Sequence, residues 1–292
     1  MVLSLVSAPT ARTGADRCPG TVALYPAEDG GLARIRVPGG MLSASALAAL
    51  GRWARELGNG RLELTARGNV QLRGLAEGSE AELTARLAEH GLLPSPAHDR
   101  ARNVLASSLS GRDGLGVLDV RPLVAELDRR LCASPELAAL PGRFLFALDD
   151  GRGDVAGLRA DVAALALPGQ RVAVLLGGRD SGLRLPVRAA VTGLLTAAGA
   201  FLRRRADERV WRVSELAGGP LSLVEDVTAE LDAETGPPVS VPERDPIGPV
   251  GRVEQTDGRV TLAASVPLGE LTPNRCEVLA AVAERELVLT PW

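Results

Sequence analysis

The feature that most constrains the fold of this chain is an internal repeat. Residues 37–43 read VPGGMLS, and residues 266–272 read VPLGELT. Upstream of each copy, a strand, a turn and a second strand are indicated, around Gly30 in the first copy and around Gly258 in the second. Such self-similarity is typical of a supersecondary unit that occurs twice. The sequence therefore predicts two related units at opposite ends of the chain.

The correspondence continues downstream of both copies. Leu50 aligns with Leu279 and Ala54 with Ala283. Once a four-residue turn is omitted, the further aligned pairs are Leu62 with Leu287, Leu64 with Leu289, Thr65 with Thr290 and Arg67 with Trp292. In the first copy the chain continues into a partner strand at residues 70–73. We therefore predict that residues 287–290 carry an open strand edge, so that the chain associates or aggregates unless the edge is covered. The alternative is that the first copy pairs along this edge.

The first copy has the pattern of a ferredoxin-like unit. Ser43 is a candidate N-cap for a helix that ends at residues 58–60, and Leu83 and Leu87 mark the inner face of a second helix. Alternating apolar residues predict strands at 21–25 and 32–37 and a hairpin at 62–73. The two helices are predicted at 43–57, before the hairpin, and at 79–90, after it. Strands and helices in this order predict a small α+β sandwich.

The middle of the chain has α/β character. Helices are predicted at 120–132, 187–203 and 221–231, and strands at 143–148, 172–176 and 182–185. These elements indicate a sheet covered by helices. The predicted organisation is a disordered tail (1–16), a ferredoxin-like repeat (17–95), an α/β lobe (96–232), a proline-rich linker (233–246) and a partial second repeat (247–292).

Composition limits the classes of function. The chain has 292 residues, 46% of them hydrophobic, and a net charge of −3, which favours a soluble, cytoplasmic globular protein and gives no reason to expect nucleic-acid or membrane partners. Every basic residue is arginine, which excludes lysine Schiff-base chemistry. Cys18, Cys132 and Cys276 are too widely spaced for a disulfide framework or a paired metal motif, so no metal ligands are predicted.

The hairpin at 62–73 carries the first candidate site. Its apolar residues alternate, which leaves Arg67, Gln71 and Arg73 available to a ligand. An ordinary solvated hairpin is the alternative interpretation of these three residues.

Three motifs give the chain a family resemblance. They are TARGNVQLR at 65–73, RNV at 102–104 and LPGRFLFALDDG at 140–151. With the duplicated unit, they resemble the nitrite and sulfite reductase superfamily, and most closely its precorrin-3B synthase branch. The resemblance implies a cleft that holds siroheme or a related tetrapyrrole beside a 4Fe-4S cluster.

The resemblance also implies roles for individual residues. Arg67, Arg102 and Arg143 match basic positions that face the reacting ligand, and they are the candidate catalytic residues. Gln71, Arg73 and Asn103 join them as candidate tetrapyrrole-binding residues. We expect Arg67, Arg102 and Arg143 to point into one shared cavity.

Two departures from the family pattern shape the functional prediction. Leu145 stands where sulfite-reducing relatives have a second lysine, which weakens a field directed at a small oxyanion. The cysteine pairs that hold the cluster in the family have no counterpart, and three cysteines are too few for four thiolate ligands. We therefore expect the chain by itself to hold no intact cluster and to show no turnover.

These considerations favour an oxidoreductase of aerobic cobalamin biosynthesis that hydroxylates precorrin-3A to precorrin-3B. The chain is expected to be a piece of such an enzyme, or to work with a second polypeptide. Alternatives are part of a siroheme-dependent nitrite or sulfite reductase, a non-catalytic tetrapyrrole-binding module, or a structural subunit. The expected ligand is an anionic tetrapyrrole, and the sequence does not identify the electron donor.

Overall fold

The first unit is built around a sheet with helices on one face. The computed structural model describes residues 16–241, 248–283 and 286–292, so most of the predicted tail and residues 242–246 of the predicted linker lie outside it. The elements of the unit are β1 (Tyr25–Ala27), β2 (Gly30–Ile35), β3 (Met41–Ser43), α1 (Ala44–Leu57), β4 (Leu62–Leu64), β5 (Val70–Leu75) and α2 (Glu80–Glu89).

Local interactions predicted from the sequence define these elements. The Ser43 side chain accepts a hydrogen bond from the backbone N–H of Ala46 at 3.1 Å, which caps α1 as expected. In the predicted hairpin, Leu62 pairs with Leu72 and Leu64 with Val70. These leucines and Val70 share the face that packs on α1 and α2, where Leu83 and Leu87 are fully buried.

The lobe contains a six-stranded sheet between two apolar layers. Its elements are β6 (Val104–Ala106), α3 (Arg121–Cys132), β7 (Phe146–Asp149), β8 (Val162–Leu167), β9 (Arg171–Leu176), β10 (Arg179–Pro186), α4 (Ala190–Arg204), α5 (Val224–Glu230) and β11 (Glu234–Thr235). The strand order is β11-β10-β9-β8-β7-β6, parallel from β6 to β8 and antiparallel from β8 to β11. Helices α3, α4 and α5 cover one face, and segments around Val155 and Val239 cover the other.

The second unit repeats the beginning of the first. It comprises β12 (Gly251–Glu254), β13 (Val260–Ala263), β14 (Glu270–Leu271), α6 (Pro273–Val282) and β15 (Glu286–Val288). Thr272 caps α6 by accepting from the N–H of Arg275, as Ser43 caps α1, and Pro273 occupies the first turn. One-turn 3₁₀ helices at Pro38–Gly40 and Pro267–Gly269 precede β3 and β14.

Strands of the second unit pair with strands of the first, and the two pairings are related by a pseudo-two-fold axis. Strand β14 pairs with β4 through Leu271–Leu62 and Glu270–Glu63, and β15 pairs with β3 through Leu287–Leu42 and Val288–Met41. Under the alignment of the repeat these are the same residue pairs, because β14 corresponds to β3 and β15 to β4. The duplicated α+β architecture predicted from the sequence is thus confirmed.

Residues 287–290, where an open edge was predicted, are paired on one side only. The edge of β15 that faces the first unit is paired with β3, and Leu289 N–H donates to the Gly40 carbonyl at 2.8 Å. The opposite edge corresponds to the edge of β4 that receives β5, and it meets no strand among the described residues. The alternative from the sequence, pairing with the first copy, therefore holds for one edge.

Other predicted boundaries also shift. The strand predicted at 21–25 forms at Tyr25–Ala27, because the backbone N–H groups of Thr21 and Val22 donate to the Asp99 carboxylate instead of a neighbouring strand. Strands β6, β8 and β11 were missed, and β11 lies at the start of the predicted linker. Within the described parts of the chain, no helix is both long enough and apolar enough to cross a membrane.

Candidate functional site

The polar face of the first sheet is turned toward the lobe. Side chains alternate along a strand, so the residues between the buried positions of β2, β4 and β5 share the face opposite α1. On this face Arg34 donates through Nε to the Gln71 side-chain oxygen at 2.9 Å, and Gln71 donates through Nε2 to Glu63 at 3.0 Å. Gln71, a predicted ligand-binding residue, is therefore held in a ladder of polar contacts.

The next residue on this face, Arg36, links the sheet to the lobe. Its guanidinium is buried, and Nη2 lies 3.3 Å from the Gly142 carbonyl and 3.2 Å from Cys18 Sγ. The Cys18 thiol also donates to the Gly142 carbonyl, at 3.3 Å, and accepts from Arg34 at 3.6 Å. Burial lowers the pKa of Arg36, and its Nε has no hydrogen-bond partner in the described structure.

Arg67 and Arg143 meet beside this contact. Arg67 Nη1 donates to the backbone carbonyl of Arg143 at 3.1 Å. The Arg143 guanidinium carbon lies 5.0 Å from the centre of the Trp211 ring, within range of a cation–π interaction. An aromatic side chain therefore supports Arg143.

A fifth arginine completes what we call the arginine cluster, defined as Arg34, Arg36, Arg67, Arg143 and Arg212. Arg212 Nε lies 2.7 Å from Oδ2 of the buried Asp161. Among the described residues, no carboxylate lies within ion-pair distance of the other four guanidinium groups. Burial, and then the charge of Arg212, lower the pKa of Arg67 to about 10. Arg67 is still positively charged at neutral pH. The cluster therefore carries a net positive charge, which favours the binding of an anion.

The structure does not bring Arg102 into this cluster. Its guanidinium is buried and forms a bidentate ion pair with Asp128, at 2.7 and 2.8 Å, and also donates to the Leu92 carbonyl. Arg102 lines a cavity of about 190 Å³ together with Asp128 and with Arg36, which is a member of the arginine cluster. The Arg102 guanidinium is thus engaged by Asp128, and the expectation that all three motif arginines face one cavity remains a prediction.

Asn103 connects the two motif loops. Its side-chain oxygen accepts from Asn69 Nδ2 at 3.0 Å, and its Nδ2 donates to the Phe144 carbonyl at 3.1 Å. Asn69 in turn accepts from the Val37 N–H at 2.9 Å. Because both amides are buried and fully engaged with protein groups, Asn103 fixes the hairpin turn against the lobe.

Arg73 lies at the far end of the polar face. It forms a bidentate pair with Asp29, with both N···O distances 2.9 Å, and lies 3.6 Å from Glu63. The carboxylates that neutralise Arg73 distinguish it from Arg67 and Arg143. Its predicted role in ligand binding remains a prediction.

Sequence reasoning missed Arg34, Arg36, Trp211 and Arg212. A signal existed for the first two, because Arg34 and Arg36 alternate with Ile35 and Val37, which places both arginines on one strand face. No local pattern marks Trp211, which contacts Arg143, or Arg212, which acts on Arg67, because the tertiary fold brings these residues together.

Comparison with known proteins agrees with this architecture. Residues 25–90 match the family described as the nitrite/sulfite reductase ferredoxin-like half domain. Ferredoxin–nitrite reductase from Synechococcus elongatus is 32% identical over 141 residues, 46% of this chain and 27% of that protein. Sulfite reductase [ferredoxin] from Mycobacterium tuberculosis is 35% identical over 135 residues, covering 46% and 24% of the two chains.

The alignment with a third relative is longer than these two. Precorrin-3B synthase from Sinorhizobium is 31% identical over 160 residues, 55% of this chain and 33% of that protein. The solved structure of the Mycobacterium tuberculosis NirA protein superposes with a TM-score of 0.73 at 22% identity, over 95% of this chain and 56% of that one. Each aligned region thus spans only about a quarter to a third of the curated relative it matches.

The first unit together with its partner repeat defines an α+β protein of the ferredoxin-like half-domain class. These matches support a member of the nitrite/sulfite reductase superfamily.

Proposed function

We propose that this chain is the anion-binding part of an oxidoreductase of corrin-ring biosynthesis, and that its substrate is precorrin-3A, which is hydroxylated to precorrin-3B. The observation that supports the proposal is the arginine cluster, in which Arg34, Arg36, Arg67 and Arg143 have no carboxylate partner among the described residues. A tetrapyrrole edged with acetates and propionates presents several separated carboxylates. Dispersed guanidinium groups match these carboxylates with charge-assisted hydrogen bonds.

The chemistry available to these residues is binding and orientation. One bond to the Arg143 carbonyl occupies one of the five N–H donors of Arg67, which leaves donors for a carboxylate. The Trp211 ring holds Arg143 in place by a cation–π contact, and Asp161 holds Arg212. A carboxylate bound at Arg67 would also offset the repulsion from Arg212 that lowers its pKa.

The cysteines do not fit the 4Fe-4S cluster implied by the family. Cys18 contacts Gly142, Cys132 ends α3 and Cys276 lies in α6, so the three thiols belong to different parts of the fold. Burial raises the pKa of Cys132 and raises that of Cys276 to about 11, which disfavours the thiolate form that binds iron. Among the described residues, no group of three or more potential ligands is positioned to hold a metal. A cluster and an electron donor would therefore come from elsewhere in the enzyme.

Reduction of a small oxyanion is the second candidate, and Leu145 argues against it. Leu145 is buried among Leu105, Ala147 and other apolar residues of the lobe, so it contributes no cation to the arginine cluster. An oxyanion reductase requires several cations that converge on one small ligand. The dispersed cluster favours the larger polycarboxylate.

Binding of a porphyrin polycarboxylate tests the proposal. Fluorescence titration with uroporphyrin should show saturable binding that Arg67→Ala weakens by about 10- to 150-fold, equivalent to about 1.5–3 kcal/mol for hydrogen bonds to a charged group. Arg55→Ala is the matched control, because Arg55 projects from α1 on the opposite side of the sheet and its side chain is 55% exposed. Equal affinity of wild type and Arg67→Ala would contradict the assignment.

A further inference from the structure

The Cys18 thiol lies in positive surroundings beside the arginine cluster. Its Sγ is 3.2 Å from Nη2 of Arg36 and 3.6 Å from Nη1 of Arg34, and the thiol donates to the Gly142 carbonyl at 3.3 Å. The Cys18 side chain is partly exposed. Two cations therefore face a thiol that a small molecule can reach from solvent.

The Arg36 guanidinium is directed at this sulfur while its charge is unpaired. Arg36 is 2% exposed and has no carboxylate within ion-pair distance among the described residues. Its Nη2 contacts Cys18 Sγ and the Gly142 carbonyl, and its Nε has no hydrogen-bond partner in the described structure. A buried cation with an unused donor is costly, and an anion that reaches it lowers the cost. Arg36 thus indicates that a negatively charged group belongs beside Cys18.

The segment that carries Cys18 is held against the lobe, so the sulfur has a defined position. The Asp16 carboxylate accepts from the N–H of Cys18 at 3.0 Å and from the N–H of Gly142 at 2.6 Å. A Cβ added at Gly142 would lie 2.7 Å from the Cβ of Cys18. The loop that leads into Arg143 therefore packs directly on this cysteine.

The other two cysteines have different surroundings. Cys132 is partly exposed like Cys18, but the arginine beside it, Arg102, is neutralised by the bidentate ion pair with Asp128. Burial, and then the charge of Asp128, raise the pKa of Cys132. Cys276 is buried, which raises its pKa to about 11. Cys132 is thus an internal control, because it shares the partial exposure of Cys18 and lacks the unpaired cations.

We propose that Cys18 is a modification site for thiol–disulfide exchange with a small anionic disulfide of the glutathione type. Reactive cysteines occupy electropositive, partly exposed positions, and positive charge raises the local concentration of an anionic reagent. Glutathione carries carboxylates, which match the unpaired guanidinium groups of Arg34 and Arg36. The reaction depends on the charge of the arginine cluster and not on a tetrapyrrole, so the site is independent of the proposed function.

The exchange needs no reagent other than the disulfide itself. The Cys18 sulfur loses its proton to water and attacks one sulfur of glutathione disulfide. A new S–S bond joins Cys18 to one glutathione, the S–S bond of the reagent breaks, and the second glutathione leaves as a thiolate that takes up a proton. Cys18 is oxidised and the departing glutathione is reduced. The attached glutathione places its carboxylates near Arg34 and Arg36, where it competes with other anions.

Two disulfide reagents of different charge test the site in the full chain. Dithiobis-nitrobenzoate has a carboxylate on each half, whereas dithiodipyridine has none. With the anionic reagent, Cys18 should react at least about tenfold faster than Cys132, as followed by mass spectrometry of the two cysteine peptides. Glutathione disulfide should add one glutathionyl group, and it should be found on the Cys18 peptide.

A charge variant separates attraction of the reagent from simple exposure of the thiol. Arg34→Gln removes one of the two cations at a partly exposed position. It should lower the ratio of the anionic to the neutral reaction rate at Cys18 by about fivefold, because a unit charge close to the sulfur is lost. Arg55→Gln, which removes a charge from an exposed position on α1, is the matched control and should leave the ratio unchanged. Added salt should lower the same ratio in the wild type, because it screens the cluster.

Three results would overturn the proposal. The first is equally fast reaction of Cys18 and Cys132 with the anionic reagent. The second is a ratio of anionic to neutral rates that neither Arg34→Gln nor added salt changes. The third is addition of glutathione to Cys132 or Cys276 in preference to Cys18.

Discussion

The two ferredoxin-like units share local signals and differ in burial. Helix α1 and helix α6 both follow a one-turn 3₁₀ helix, a two- or three-residue strand and a hydroxyl N-cap. Yet Ala49 in α1 is fully buried, whereas the corresponding Val278 in α6 is 63% exposed. The comparison teaches that the local sequence is sufficient to define the helix and its cap, while the β5 and α2 layer of the first unit decides whether the apolar face is buried.

The largest expected difference concerns paired leucine substitutions. Leu50→Ala removes a fully buried side chain and should lower the free energy of unfolding by about 2–5 kcal/mol. Leu279→Ala, at the corresponding half-buried position, should cost less than about 1 kcal/mol because less apolar contact is lost. Urea denaturation of both variants measures the difference, and equal costs would show that the second unit is as well packed as the first.

A smaller effect is expected where the two units touch. A Cβ added at Gly51 would lie 2.7 Å from the Cβ of Cys276, so Gly51→Ala should force α1 and α6 apart at a cost of about 1–3 kcal/mol. Burial raises the pKa of Cys276 to about 11, and the thiolate is the reactive form, so alkylation of Cys276 in the wild type should be slow at pH 8. Gly51→Ala should accelerate it, as followed by mass spectrometry of the Cys276 peptide.

Gly199→Ala controls for the change in helix propensity. Gly199 lies within α4, where an added Cβ would meet only the ends of the Glu136 and Arg203 side chains. This variant should leave Cys276 alkylation unchanged. If both glycine variants accelerate it alike, the effect reports general destabilisation and the tight contact between the units is not its cause.

The smallest expected effect is the loss of stability when the N-cap residue of α1 or of α6 is replaced. Ser43 accepts from Ala46 N–H at 3.1 Å, and Thr272 accepts from Arg275 N–H at 3.4 Å. Replacement of either residue by alanine should cost about 1 kcal/mol, with Thr272→Ala at the lower end because its bond is longer. Hydrogen exchange in the first turn of each helix measures the local cost. A cost confined to α1 would show that the likeness of the two caps is only geometric.

Local sequence patterns predict some elements and site residues of this protein and miss others. The hairpin at 62–73 was predicted correctly because alternation and turn chemistry act within a few residues. Strand β8 was missed because Val162–Leu167 is an uninterrupted apolar run, buried on both faces, that carries no alternation. In the candidate site, Arg67 and Arg143 were predicted from motifs and lie together, whereas the motif containing Arg102 gave no indication that Asp128 pairs with its guanidinium.

The sequence by itself determined the repeat, the two helix caps and the hairpin register, since each depends on residues close together in the chain. Only the tertiary structure decided that β14 pairs with β4 and β15 with β3, and that Arg36 and Arg212 join Arg67 while Arg102 does not. The physical reason is that strand exchange and charge clustering depend on distances between residues that are far apart in sequence. Burial has the same origin, because equivalent apolar faces are covered in one unit and exposed in the other.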